Sequence, residues 1–176
     1  MLNIFETITK RLIEAWKSDE PSGRRSAFSC RCGRPVYFHN SLCLGCKAPL
    51  GYEPESQQVR ALIATTEPGH WLLDEQSEDE TFWKRCGNFD SPAGCNWLVR
   101  ADEEETLCRS CRLNRTIPNL DDADNSQWWR KIENAKRRLV SQLLNLGLPV
   151  VSKASEDSEH GVMFDFCAHR KKDRAS

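Results

Sequence analysis

Cysteines at eight positions carry the chemistry that this sequence can do. They stand as Cys30 and Cys32, Cys43 and Cys46, Cys86 and Cys95, and Cys108 and Cys111. The first four read C-R-C, a ten-residue insert, then C-L-G-C. The second four are Cys86, eight residues, Cys95, twelve residues, then C-R-S-C. Two short knuckles held apart by a hairpin can deliver four thiolates to one ion, and zinc takes four soft sulfur ligands in a tetrahedron. Two structural zinc ions are therefore expected. Four thiolates leave no open position for water, so neither site is expected to be catalytic.

Spacing leaves some alternatives open. Four thiolates also suit an iron–sulfur cluster. Disulfides fit poorly, because C-x-C and C-x2-C are awkward spacings for local bridges. Sequential pairing of the knuckles is simplest, but crossed pairing, with one knuckle from each half, satisfies the same count. His39 is a spare ligand type beside a filled site and reads as a hairpin residue. The ninth cysteine, Cys167, has His169 nearby but nothing to orient the pair. No H-E-x-x-H, G-x-S-x-G or glycine-rich phosphate loop occurs in the sequence.

The elements that must position the cysteines can be read from periodicity. Phe5, Ile8, Leu12 and Trp16 recur at helical spacing and predict an amphipathic helix over 1–18. Val36-Tyr37-Phe38, residues 61–66, residues 70–73 and residues 97–99 read as short strands. A long helix is expected over 126–146, capped by Asn125 or Ser126 and stopped by Gly147-Leu148-Pro149. Its apolar face reads as Trp129, Ile132, Leu139, Leu143 and Leu146, widened by Ala135, Val140 and Leu144. Arg130, Lys131, Lys136, Arg137 and Arg138 fall on the polar face. A strand over 163–166 and a disordered basic tail complete an α+β chain. It divides into an extension (1–25), a first zinc ribbon (26–57), a second (58–120) and a helix–strand unit (121–176).

The 176 residues carry 25 Lys and Arg against 26 Asp and Glu, a formal net charge of −1. No global basic excess advertises nucleic acid. Arg109, Arg112 and Arg115 form a local basic patch that could touch phosphate together with Lys136 to Arg138. No apolar run approaches the roughly 18 residues of a membrane span. Glu6 interrupts any signal-like start. Paired, metal-ready cysteines suit a reducing compartment, and a cytoplasmic location is expected.

Several strings resemble a known family. F-S-C-R-C-G-R-P-V-Y-F-H-N-S-L-C-L-G-C, L-G-Y-E-P-E, C-N-W-L-V-R-A-D, L-C-R-S-C-R-L-N-R-T-I-P-N-L and A-K-R-R-L-V-S-Q-L-L-N-L-G-L-P-V-V-S-K are similar to the zinc-ribbon start of a family of bacterial zinc-binding metallopeptidases. The similarity runs from Phe28 to Phe166; residues 167–176 depart from it. It assigns ribbon roles to Cys30, Cys32, Cys43, Cys46, Cys86, Cys95, Cys108 and Cys111. It also implies a longer catalytic domain with H-E-x-x-H, of which this chain would carry only the first helix and strand. The resulting expectation is a truncated, non-catalytic zinc-ribbon module that binds protein through helix 126–146 or helix 1–18. A nucleic-acid-binding ribbon and a split metallopeptidase are the alternatives.

Overall fold

The computed structural model describes residues 9–10, 27–74 and 81–168. The helix expected over 1–18 lies outside them, apart from Thr9 and Lys10, which are helical. The expected tail from residue 169 lies outside them too.

Strands β1 (Phe28–Ser29) and β2 (Pro35–Val36) form a two-residue hairpin around the first knuckle. The strand expected through Phe38 stops at Val36. There the chain turns: the Tyr37 amide donates to the Asn40 side chain at 2.7 Å, and the Asn40 amide to the Tyr37 carbonyl at 2.8 Å. A short asparagine side chain that captures a nearby amide competes with the strand ladder in this way.

A five-stranded antiparallel sheet then carries most of the core. Its strands are β3 (Leu50–Glu53), β4 (Gln58–Ala64), β5 (His70–Leu73), β6 (Trp83–Arg85) and β7 (Leu98–Arg100), neighbours in chain order. The two runs expected over 61–66 and 70–73 pair across the Glu67-Pro68-Gly69 turn, where Gly69 has φ +83°. The Tyr52 amide donates to the Asn96 carbonyl at 2.8 Å, so the sheet curls back on itself. That closure brings the residues after Cys95 against the strand that follows Cys46.

The closing point is aromatic. Tyr52 and Trp97 are 1% and 0% exposed, with ring centroids 4.7 Å apart, and Phe38 stands edge-on to Tyr52 at 4.7 Å. The Asn96 amide donates to the Phe38 and Asn40 carbonyls at 2.8 and 3.0 Å. One residue after Cys95 is thus bonded to the hairpin of the first knuckle pair.

Helix α1 spans Ala123–Asn145. It starts three residues before the expected position because Asp122 is the cap, accepting from the Asp124 and Asn125 amides. Its stop is the expected one. Gly147 has φ +66°, its amide donates to the Leu144 carbonyl, and the Leu148 amide donates to the Leu143 carbonyl. Beyond it, β9 (Phe164–Asp165) lies parallel to β8 (Asn114–Thr116). A parallel pair needs a long crossover, and α1 supplies it.

The expected helix face is right in part: Trp129 and Val140 are buried, and Leu143 and Leu144 pack on the core. Buried on α1 are Trp129, Glu133, Lys136, Arg137 and Val140, whereas Ile132 and Leu139 are exposed. Of the charges placed on the solvated face, Arg130, Lys131 and Arg138 are exposed as expected, whereas Lys136 and Arg137 lie inside. The physical reason is the neighbourhood of the second cysteine set, described below.

Removing the Trp97 side chain leaves a large void where the sheet closes. Trp97→Ala is expected to cost about 3–5 kcal/mol, read by denaturant unfolding of the zinc-loaded chain. A loss below about 1 kcal/mol would show that this contact does not close the sheet.

Candidate metal centre

The eight cysteines converge as two tetrads. Cys30, Cys32, Cys43 and Cys46 form one, Cys86, Cys95, Cys108 and Cys111 the other, and within each the sulfurs lie within 4.8 Å of one another. The pairing is sequential; crossed pairing is excluded. Four sulfurs about 2.3 Å from a tetrahedral zinc stand about 3.8 Å apart. Sulfur separations here include 3.6 Å (Cys30–Cys46), 3.7 Å (Cys32–Cys43) and 3.7 Å (Cys95–Cys108). Each tetrad therefore fits a zinc ion, and the donor set of four thiolates is a structural one.

Local backbone geometry builds each knuckle. After Cys32, Gly33 takes φ +78° and its amide donates to the Cys30 carbonyl at 2.8 Å. After Cys46, Lys47 takes the equivalent turn at φ +60° and donates to the Cys43 carbonyl at 2.9 Å. At Gly45 the exposed Arg34 side chain lies over the backbone, where a Cβ would stand 2.3 Å from its Cδ and make it shift. Backbone amides also aim at the sulfurs. The amides of Cys46 and Gly45 draw the Cys43 thiol down to about 6, and burial pushes the Cys30 thiol up to about 12. Amides so placed favour the thiolate that a metal requires.

The two tetrads differ in shelter. Cys32 and Cys46 are exposed, while all four sulfurs of the second tetrad belong to buried residues. His39 joins neither. Burial, with Arg137 and Arg138 nearby, lowers its pKa to about 4, so it is neutral near pH 7.

Helix α1 packs beside the second tetrad through buried charges. Glu133 and Arg137 are 0% exposed and Lys136 4%. Glu133 accepts from the Lys136 ammonium at 2.7 Å and from the Asn114 amide at 3.1 Å, and the Arg137 guanidinium lies 3.7 Å away. Its Oε2 stands 3.8 Å from the Cys111 sulfur. Burial raises the Glu133 pKa, Lys136 opposes that shift, and Cys111 adds to it. Arg137 also donates to the Ala93 carbonyl at 3.1 Å, and Arg130 to the Pro92 carbonyl at 3.2 Å. These are the residues just before Cys95. A zinc ion with four thiolates carries a formal charge of about −2, so two cations against one carboxylate suit the place.

The basic patch read from sequence is largely consumed. Arg112 is held by Glu103 at 3.2 Å and Glu156 at 3.4 Å, and Arg115 by Asp165. Arg109 remains exposed. Glu133 was the residue that sequence reading passed over; its i, i+3 and i, i+4 spacing to Lys136 and Arg137 was the available signal.

Residues 27–122 match the zinc-ribbon domain family. The chain belongs to that family. Residues 125–176 match a second family, described as "Putative zinc-binding metallo-peptidase". That match runs to the last residue, so the expected departure over 167–176 is corrected. Uncharacterized proteins of Mycobacterium tuberculosis and Mycobacterium bovis are each 33% identical over 138 residues, covering 78% of this chain. The chain spans 36% of the length of these relatives. No solved structure matches. The protein is a zinc-binding module, with two structural sites, related to metallopeptidases of that family.

Two zinc ions per chain are expected by elemental analysis, one for each tetrad. Exposure sets how fast a chelator takes them, and loss from the first tetrad should be about tenfold faster or more. A single release phase would contradict that ordering. Glu133→Ala leaves Lys136 and Arg137 buried without their counter-charge and is expected to cost about 3–5 kcal/mol by denaturant unfolding. A cost below about 1 kcal/mol would show that the cluster is not a buried pair in solution.

Proposed function

We propose that the chain is a non-catalytic zinc-ribbon module that holds the opening segment of a metallopeptidase-like region in place and works through contacts with protein. The buried attachment of α1 to the second tetrad carries this reading. A helix free to move would show its charges to water. This one buries Glu133 against Lys136 and Asn114, and Arg137 against the Ala93 carbonyl. The Tyr52 hydroxyl adds a 2.8 Å bond to Ser141, and Trp129 stacks edge-on to Phe166 at 5.4 Å. Ribbon sheet, helix and strand β9 thus form one packed unit.

Both tetrads are complete with four sulfurs, which supports a structural and not a hydrolytic part for their metal. Eight thiolates committed to metal support a reducing, cytoplasmic setting. Among the described residues, no helix is long and apolar enough to cross a membrane. The nucleic-acid reading loses support, because Lys136, Arg137 and Arg112 are paired inside or against carboxylates.

The zinc-loaded chain of residues 1–176 is expected to leave unstructured protein substrates uncleaved. It is also expected to show no salt-dependent binding to DNA or RNA. Cleavage abolished by a chelator would overturn the non-catalytic reading. Binding that weakens steeply with salt would restore the nucleic-acid one.

A further inference from the structure

Beside its buried face, α1 shows solvent a second row of apolar side chains. Trp128 is 59% exposed, Ile132 37% and Leu139 44%. With exposed Ala135 they recur at i, i+4, i+7 and i+11. That is the seam spacing by which one helix packs along another. The row runs about 17 Å at 1.5 Å per residue. At its N-terminal end, Trp128 and Ile132 line a groove of about 410 Å³ with Pro118, Trp129 and Phe166. Scattered apolar residues are ordinary on a surface, but a continuous row that opens into a groove marks a docking site.

Charge selects the occupant. From Asn125 to Asn145 the helix holds five cations and one acid, Glu133, and Glu133 is buried. Arg130, Lys131 and Arg138 are exposed, and among the described residues none of them has a carboxylate partner. Lys131 and Arg138 each stand three residues after a member of the row, on the same flank of it. The Lys131 ammonium lies 4.4 Å from the Trp128 ring centre, so cation and apolar row form one surface. The nearest exposed acid on the helix, Asp124, sits a turn before Trp128. A second copy fits poorly, because two such faces would set cation against cation along the row. Phosphates of a nucleic acid would meet the cations but leave the apolar row uncovered.

We propose that this face of α1 docks an acidic amphipathic helix of another protein. Its apolar side lies on the row, one large side chain fills the groove, and its carboxylates meet Lys131 and Arg138. This names the partner chemistry for the protein-contact role proposed above and rests on that role.

Binding of a synthetic helix to the full zinc-loaded chain tests it. The probe carries leucines at the spacing of the row, flanked by glutamates. Its controls are a scrambled peptide and one with lysines for the glutamates. Fluorescence anisotropy should show saturable binding of the glutamate peptide, about tenfold or more tighter than either control. Ile132→Glu with Leu139→Glu, in a chain that keeps both zinc ions, should weaken it about tenfold or more. Lys131→Glu with Arg138→Glu should reverse the preference toward the lysine peptide. No binding, or equal binding of all three peptides, would overturn the proposal. So would binding untouched by the α1 substitutions, displacement of the peptide by a DNA or RNA oligonucleotide, or sedimentation as a dimer that Ile132→Glu dissociates. Cleavage of unstructured substrates is read separately, so failure here leaves the non-catalytic reading standing.

Discussion

Four ionised sulfurs gathered within a few ångströms repel one another, and a divalent cation at their centre turns that repulsion into the strongest local constraint in the chain. The fold meets this constraint twice. Knuckle turns at Gly33 and Lys47 aim the first set. The curled sheet brings the second set beside the first, through Tyr52, Asn96 and Trp97. Short strands of two to seven residues would be weak alone. With the metal fixing their ends, they hold as a five-stranded sheet and two short strand pairs around a fully buried aromatic centre.

The second site extends its influence beyond the ribbons. A tetrathiolate in a buried place favours cations around it, and α1 supplies Lys136 and Arg137 with Glu133 between them. Burying three charges is unfavourable unless each is paired. Here Glu133 pairs with Lys136 and Arg137, and Asn114 and the Ala93 carbonyl take up the remaining bonds. Zinc, charge cluster and helix position are therefore one coupled arrangement. The segment that matches the metallopeptidase family packs against the second tetrad of the segment that matches the ribbon family.

Sequence disclosed the parts of this arrangement that are local. Cysteine spacing, the Gly69 turn and the Gly147-Leu148-Pro149 stop depend on a few neighbouring residues, and each is found as read. What depended on distant packing was hidden. Sequential pairing of the knuckles needs the sheet topology. The parallel match of β8 with β9 joins residues about fifty apart. The face of α1 misled periodicity because Lys136 and Arg137 look solvated until Glu133 and Cys111 are placed beside them. Arg112 likewise seems free until Glu103 and Glu156 close on it.

The coupling of the second zinc to α1 is the central claim, and tryptic cleavage tests it directly. Lys136 and Arg137 are cleavage sites whose side chains are buried only while α1 stays packed on the second tetrad. The zinc-loaded chain should resist cutting at these two positions. Cys108→Ser, which leaves the first tetrad intact, should be cut there rapidly. Equal resistance in both chains would contradict the coupling and would mean that α1 holds its place without the second zinc.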